Sequence, residues 1–259
     1  MATLRIETDK RGVATLMLAR ADKHNAMSAD MIAELTAGAA TLGADPAVRV
    51  VVLAADGPTF CAGGDLAWMR AQMDATPKIR HQGAMNLARM LMALNTMPKP
   101  LIGRVQGNAF GGGVGLMSVC DTCIGVDSAV FALTETRLGL IPATIGPYIM
   151  ARIGAAQARR VFMNSARFDA ALAKDLGLLA GVVAPNALDD AVEAAITPYL
   201  SCAPGAVAAA KALTLSLGPV IDEAVLQASA DALVAVWEGD EAREGIAAFF
   251  EKRPSSWAG

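Results

Sequence analysis

The run Val48–Ala54, apolar apart from Arg49 and rich in β-branched residues, most restricts what this chain can become. A strand without a polar face has to be covered on both sides, which is the setting of a parallel strand between helices. The neighbouring patterns supply those helices. Ser28 can cap one whose apolar face carries Ile32, Leu35, Ala39 and Leu42. A second spans residues 78–96, with Met85, Leu87, Met90, Leu91 and Leu94, and is stopped by Pro98 and Pro100.

Further strands are expected at Leu101–Val105, Thr122–Val126 and Ala129–Leu133. Leu4–Thr8 and Val13–Leu18 alternate about the turn Asp9-Lys10-Arg11-Gly12 and read as a hairpin. From about Ile145 the pattern is almost entirely helical, broken by Pro185, Pro204 and Pro219. The expectation is a mixed α/β core followed by a helical C-terminal region. With 54% hydrophobic and 18% charged residues, a sizeable core can be buried, with apolar surface left for self-association.

A net charge of −3 without a long Lys/Arg run argues against nucleic acid as partner. No apolar run reaches the roughly 18 residues of a membrane span. The opening residues alternate as a strand and not as a leader, so a soluble, cytoplasmic protein is expected. Cys61, Cys120, Cys123 and Cys202 sit among apolar or small residues. Cys120 and Cys123 form a C-x-x-C, but no second pair or nearby His completes a metal site, so buried structural thiols are expected.

Two turns carry glycine where a helix begins: Cys61-Ala62-Gly63-Gly64-Asp65-Leu66 and Phe110-Gly111-Gly112-Gly113-Val114-Gly115. Glycine permits positive φ and close approach to the main chain, and a helix start presents unpaired N–H groups. Facing each other, the turns would offer two donors to one oxygen, an oxyanion hole. Taken alone, the glycines serve equally well for tight turns or close packing. Gly113, Gly115 and Ser118 also nearly match a dinucleotide fingerprint, but the helix is short for a crossover and the third glycine is absent.

At these residues the chain resembles the enoyl-CoA hydratase/isomerase (crotonase) family over nearly its whole length. Phe60–Leu66 is similar to the family's first oxyanion turn, Gly107–Asp121 to its second, Thr134–Pro142 to the catalytic loop, and Glu244–Arg253 to the closing helix. The resemblance implies a crotonase fold, a spiral of ββα units, with residues 1–195 as core and 196–259 as a helical region for trimerisation. It also implies that the backbone N–H groups of Gly64 and Gly112 hold a thioester oxygen. Lys23, His24, Ala26, Ala62, Gly63, Asp65 and Leu66 would line the coenzyme A path. Phe249 and Lys252 would reach a neighbouring subunit's coenzyme A in a trimer or dimer of trimers. By residue type alone, His24 reads equally as an exposed loop imidazole and Lys252 as a solvated helix end.

Glu135, 20 residues beyond Gly115, stands where the family places a catalytic glutamate. Hydratases with two catalytic glutamates carry the other at the position of Gly115, so one carboxylate is missing here. Without that context Glu135 reads as a surface residue paired with Arg137 or Lys174. The implied activity is enoyl-CoA hydration through a thioester enolate, on a branched or glutaconyl-type acyl group by similarity to methylglutaconyl-CoA hydratases. A single-glutamate double-bond isomerase and a non-catalytic acyl-CoA-binding protein are the alternatives. No metal and no cofactor beyond substrate coenzyme A is expected, with an acyl pocket around Trp68, Met69, Met73, Met85 and Pro142–Tyr148.

Overall fold

The structure, a computed structural model, describes residues 3–258. An antiparallel hairpin, β1 (Leu4–Thr8) and β2 (Val13–Leu18), opens the chain, and Leu4 pairs with Leu18. Helix α1 (Ala29–Ala44) begins where Ser28 Oγ accepts the Met31 N–H at 3.2 Å. Strand β3 (Val50–Ala55) is buried along its whole length, as its composition demands, and runs parallel to β2. Then follow β4 (Thr59–Cys61), α2 (Leu66–Met73) and α3 (Pro77–Thr96).

The next segment repeats the pattern: β5 (Leu101–Val105), β6 (Asn108–Phe110), α4 (Gly112–Ser118), β7 (Thr122–Val126) and β8 (Val130–Ala132). A 3-10 turn, Glu135–Leu138, leads to α5 (Gly146–Phe162). After it come β9 (Phe168–Asp169), α6 (Ala170–Asp175), β10 (Gly181–Val183), α7 (Leu188–Leu200), α8 (Pro204–Leu217), α9 (Glu223–Trp237) and α10 (Asp240–Glu251).

The strands form two sheets. The larger has the order β1-β2-β3-β5-β7-β10 and is parallel beyond the first hairpin. The smaller, β4-β6-β8-β9, positions the site. Within it β4 lies parallel to β6, and β6 to β8, so the segments that follow these strands leave one end of the sheet side by side.

The C-terminal helices differ in how they attach. Leu226 and Ala230 of α9 pack on Ala84, Met85 and Ala88 of α3, and Trp237, Ala242 and Ile246 pack on Leu140. Helix α8 buries none of its residues in the single chain. The tail, expected to be almost entirely helical, is interrupted by β9 and by strand β10. The three half-buried residues of β10 carry too little pattern to read, and pairing with β7 makes them a strand. Among the described residues, no single helix is long and apolar enough to cross a membrane. Leu226→Ala is expected to cost about 2–5 kcal/mol by leaving a cavity under α9, measured as a lower urea midpoint at unchanged slope.

Candidate functional site

The first glycine turn is tied to the loop before α1. Met27 N–H donates to Gly63 O at 2.8 Å, Asp65 N–H to Met27 O at 3.1 Å, and Ala62 N–H to His24 O at 3.0 Å. These bonds alternate around Gly64, whose own N–H has no acceptor among the described residues. Gly63 takes φ +94°, where a side chain would be strained and would crowd Phe110 O at 3.0 Å.

Asp65 caps α2. Its Oδ1 accepts the N–H groups of Ala67 and Trp68, and its Oδ2 accepts from Arg20 at 2.9 Å. Burial pushes this carboxyl up, but the bonds from Trp68, Arg20 and Ala67 outweigh it and hold the group below the usual range. Asp65 thus braces the turn. Asn25, unforeseen from sequence, does the same. Fully buried at φ +52°, it donates to the carbonyls of Asp56 and Thr59 and accepts the Arg20 N–H. Its signal is type alone, since Asn is among the few residues that tolerate left-handed backbone. Ala26 is buried beside it, whereas Lys23, His24 and Leu66 are exposed, with His24 Nδ1 at 3.1 Å from Thr59 Oγ1.

The second turn lies against the first. Gly111, at φ +48°, donates its N–H to Ala132 O at 2.9 Å. A Cβ on Gly113 would sit 2.3 Å from Cys61 O, and one on Gly112 would sit 2.1 Å from Met27 Cε and 3.9 Å from Gly63 Cα. At 63 and 113, where the crowded atoms are backbone, only glycine lets the turns touch. As first residue of α4, Gly112 keeps its N–H outside the helix ladder, and no other described group accepts it.

Glu135 follows β8 and reaches the second turn. Its Oε1 lies 2.9 Å from where a Gly111 Cβ would stand, and its Oε2 is shielded with no hydrogen-bond partner among the described residues. No ion pair to Arg137 or Lys174 forms there. Burial pushes the carboxyl up to about 7, only partly offset by the N–H groups of Glu135 and Thr134. A shielded carboxyl oxygen without a partner, beside a turn with a free amide, is a site prepared for a ligand.

Other expected residues lie elsewhere. Met85 faces α9, and Tyr148 is buried with its hydroxyl donating to Ala88 O at 2.9 Å, so both belong to the core and not to an open acyl pocket. Trp68 stacks edge-on against Trp237, Met69 borders Gly64, and Met73 joins the Leu140 cluster. Exposed Phe249 lies near the end of α10, and exposed Lys252 caps it. Surface cavities of about 430 and 280 Å³ occur along α7 and beside α5, remote from Glu135. A Cβ on Gly115 would fall 2.5 Å from Ile145 Cγ2 and 3.0 Å from Ile145 Cβ.

The enoyl-CoA hydratase/isomerase family model matches residues 8–259. The chain belongs to the enoyl-CoA hydratase/isomerase family. It is 30% identical to the mitochondrial methylglutaconyl-CoA hydratase of Mus musculus, over 98% of this chain and 82% of that protein. Among solved structures, an enoyl-CoA hydratase from Shewanella pealeana superposes with a TM-score of 0.81 at 37% identity, covering 98% of this chain and 96% of its own. One from Mycobacterium avium gives 0.85 at 32%, covering 99% of both. The fold is the crotonase fold, and the chain is an enzyme of this family.

Within the family, the Gly115–Ile145 contact has a clear meaning. The space that a side chain at 115 would need is filled by Ile145, itself buried, so packing excludes one there. Gly115→Glu is expected to lose at least about 3 kcal/mol through overpacking and a buried charge, with Ile145→Gly in the same chain recovering part; urea unfolding reads both. A second outcome follows from Glu135. Between about pH 4.5 and 7 the folded protein binds more protons than the unfolded chain, so stability falls as pH rises through that window. Glu135→Gln is expected to exceed the wild type by up to about 3 kcal/mol near pH 8, with the gap closing below about pH 4.5.

Proposed function

We propose that this protein is an enoyl-CoA hydratase in which Glu135 alone carries the proton transfers. One observation carries the reading: Glu135 Oε2 is shielded and without a hydrogen-bond partner, and the carboxyl lies against the turn that bears the free Gly112 amide. The thioester oxygen of an α,β-unsaturated acyl-CoA would accept the N–H groups of Gly64 and Gly112. Donors of this kind favour the charge that develops in the enolate, each by about 10²–10³ in rate.

The ionised Glu135 takes a proton from water as its oxygen bonds to the β-carbon, and the C=C electrons move onto the thioester oxygen. The same carboxyl then returns that proton to the α-carbon, closing the cycle ionised as it began. A group titrating near 7 can serve both as base and as acid at neutral pH. With Ile145 over Gly115, no second carboxylate divides the work. Similarity to a methylglutaconyl-CoA hydratase supports a branched or glutaconyl-type acyl group.

The lone carboxylate equally suits double-bond isomerisation, which removes a proton from one carbon and returns it to another. Product mass separates the two, because only hydration adds water. Lys23, His24, Ala26, Ala62, Gly63 and Leu66 are proposed to follow the coenzyme A, with Asp65 bracing them. A homotrimer or dimer of trimers is proposed because α8 and its end expose Leu213, Leu217 and Val220 with no cover in one chain. Phe249 and Lys252 would then meet a neighbour's coenzyme A.

Against a panel of enoyl-CoA thioesters including methylglutaconyl-CoA, hydroxyacyl products are expected by mass detection; no turnover on any member would leave a binding protein. Glu135→Gln is expected to lower kcat by about 10²–10⁴ with ligand affinity nearly unchanged. The kcat/KM of the wild type is expected to rise with pH through about 7, as the base form of Glu135 appears.

A further inference from the structure

The turn carrying Glu135 is held from behind by α10, main chain against main chain. Gly139 ends the turn at φ +68°, and a Cβ there would lie 2.4 Å from the carbonyl of Glu241 and 2.7 Å from the nitrogen of Ala242. In return, a Cβ on Gly245 would lie 2.5 Å from the carbonyl carbon of Leu138 and 2.9 Å from its Cα. Each glycine thus faces backbone, which cannot swing aside as a flexible side chain can. Leu140, Trp237, Ala242 and Ile246 close around this contact, flanked by Leu138, Met73 and Phe250.

The turn transmits what happens there. Leu140 N–H donates to Glu135 O at 3.0 Å and Gly139 N–H to Thr136 O at 3.2 Å, so moving Leu138 or Gly139 moves the Glu135 main chain. On the far side Ser165 Oγ accepts the Arg137 N–H at 3.1 Å and bonds Thr136 Oγ1 at 2.7 Å. The turn is therefore clamped between the Ser165 segment and α10. We propose that the contact of Gly245 with Leu138, and of Gly139 with Glu241 and Ala242, sets where the Glu135 carboxyl stands, which makes Gly245 a positioning residue for the proton transfers. The proposal deepens the functional reading above and rests on it for its kinetic consequence. The contact does not include the glycine turns that would hold the thioester, so chemistry should suffer and binding should not.

The test compares Gly245→Ala with Arg243→Ala, an exposed residue of α10 that pairs with Asp240. On an enoyl-CoA that the wild type hydrates, Gly245→Ala is expected to lower kcat by about tenfold or more, with KM within about twofold and the acid limb of the pH profile displaced. Arg243→Ala is expected to match the wild type. A readout that needs no substrate separates this inference from the functional one: the Glu135 carboxyl titration by carbon-13 NMR, assigned against Glu135→Gln. Its midpoint is expected to move toward the ordinary carboxylate range in Gly245→Ala. Should Gly245→Ala fail to fold, Ile246→Val loosens the same contact and is expected to shift kcat and midpoint in the same directions. A folded variant with the wild-type midpoint, and wild-type kcat wherever the wild type is active, overturns the proposal.

Discussion

The arrangement depends on the parallel pairing of three short strands, β4, β6 and β8, in one small sheet. Each strand has only three residues, yet their register decides everything downstream: Cys61 beside Ala109, and Phe110 beside Ala132. Because the strands run the same way, the two glycine turns and the Glu135 turn emerge together from one end. Parallel sheets gather loops from distant parts of a chain in this manner, which is why ligands favour such sheet ends. The glycines then let the turns close to contact. Had Gly63 or Gly113 carried a side chain, the backbones could not approach as they do.

That geometry sets a conflict at Glu135. Its Oε2 is shielded from water without a hydrogen-bond partner, a condition that native structures generally avoid. The fold tolerates it because the surrounding cores are deep and because the proton stays on the group until about pH 7. Neighbouring Asp65 shows the opposite solution. It too is buried, yet two amides and Arg20 keep it charged. Two carboxyls that border glycine turns thus take different roles, and the difference lies in their hydrogen bonds.

Long elements were legible from the chain alone, because hydrophobic period survives over many residues. Strand β3, helices α1 and α3 and the first hairpin fall within one or two residues of their expected bounds. Strand β10 and the partners of β4 were not, since three residues hold no period and only a neighbour makes them strands. The glycine turns were readable as motifs, and Glu135 by its distance from them. Asn25, Arg20 and Ile145 were not, because their work consists of contacts with residues far away in sequence. Met85 and Tyr148 looked like pocket residues by position, but α9 and the Ala88 carbonyl claim them for the core.

The sequence by itself determined the α/β class, the family, and that glycine and not a carboxylate stands at position 115. These are properties of residue type and spacing, which a linear chain states outright. Only the tertiary structure decided that Ile145 packs against Gly115, that Glu135 Oε2 stands without a partner, and that Gly139 and Gly245 let α10 bear on the Glu135 turn. Each is a matter of which atoms exclude which others, and exclusion exists only once distant segments share the same volume.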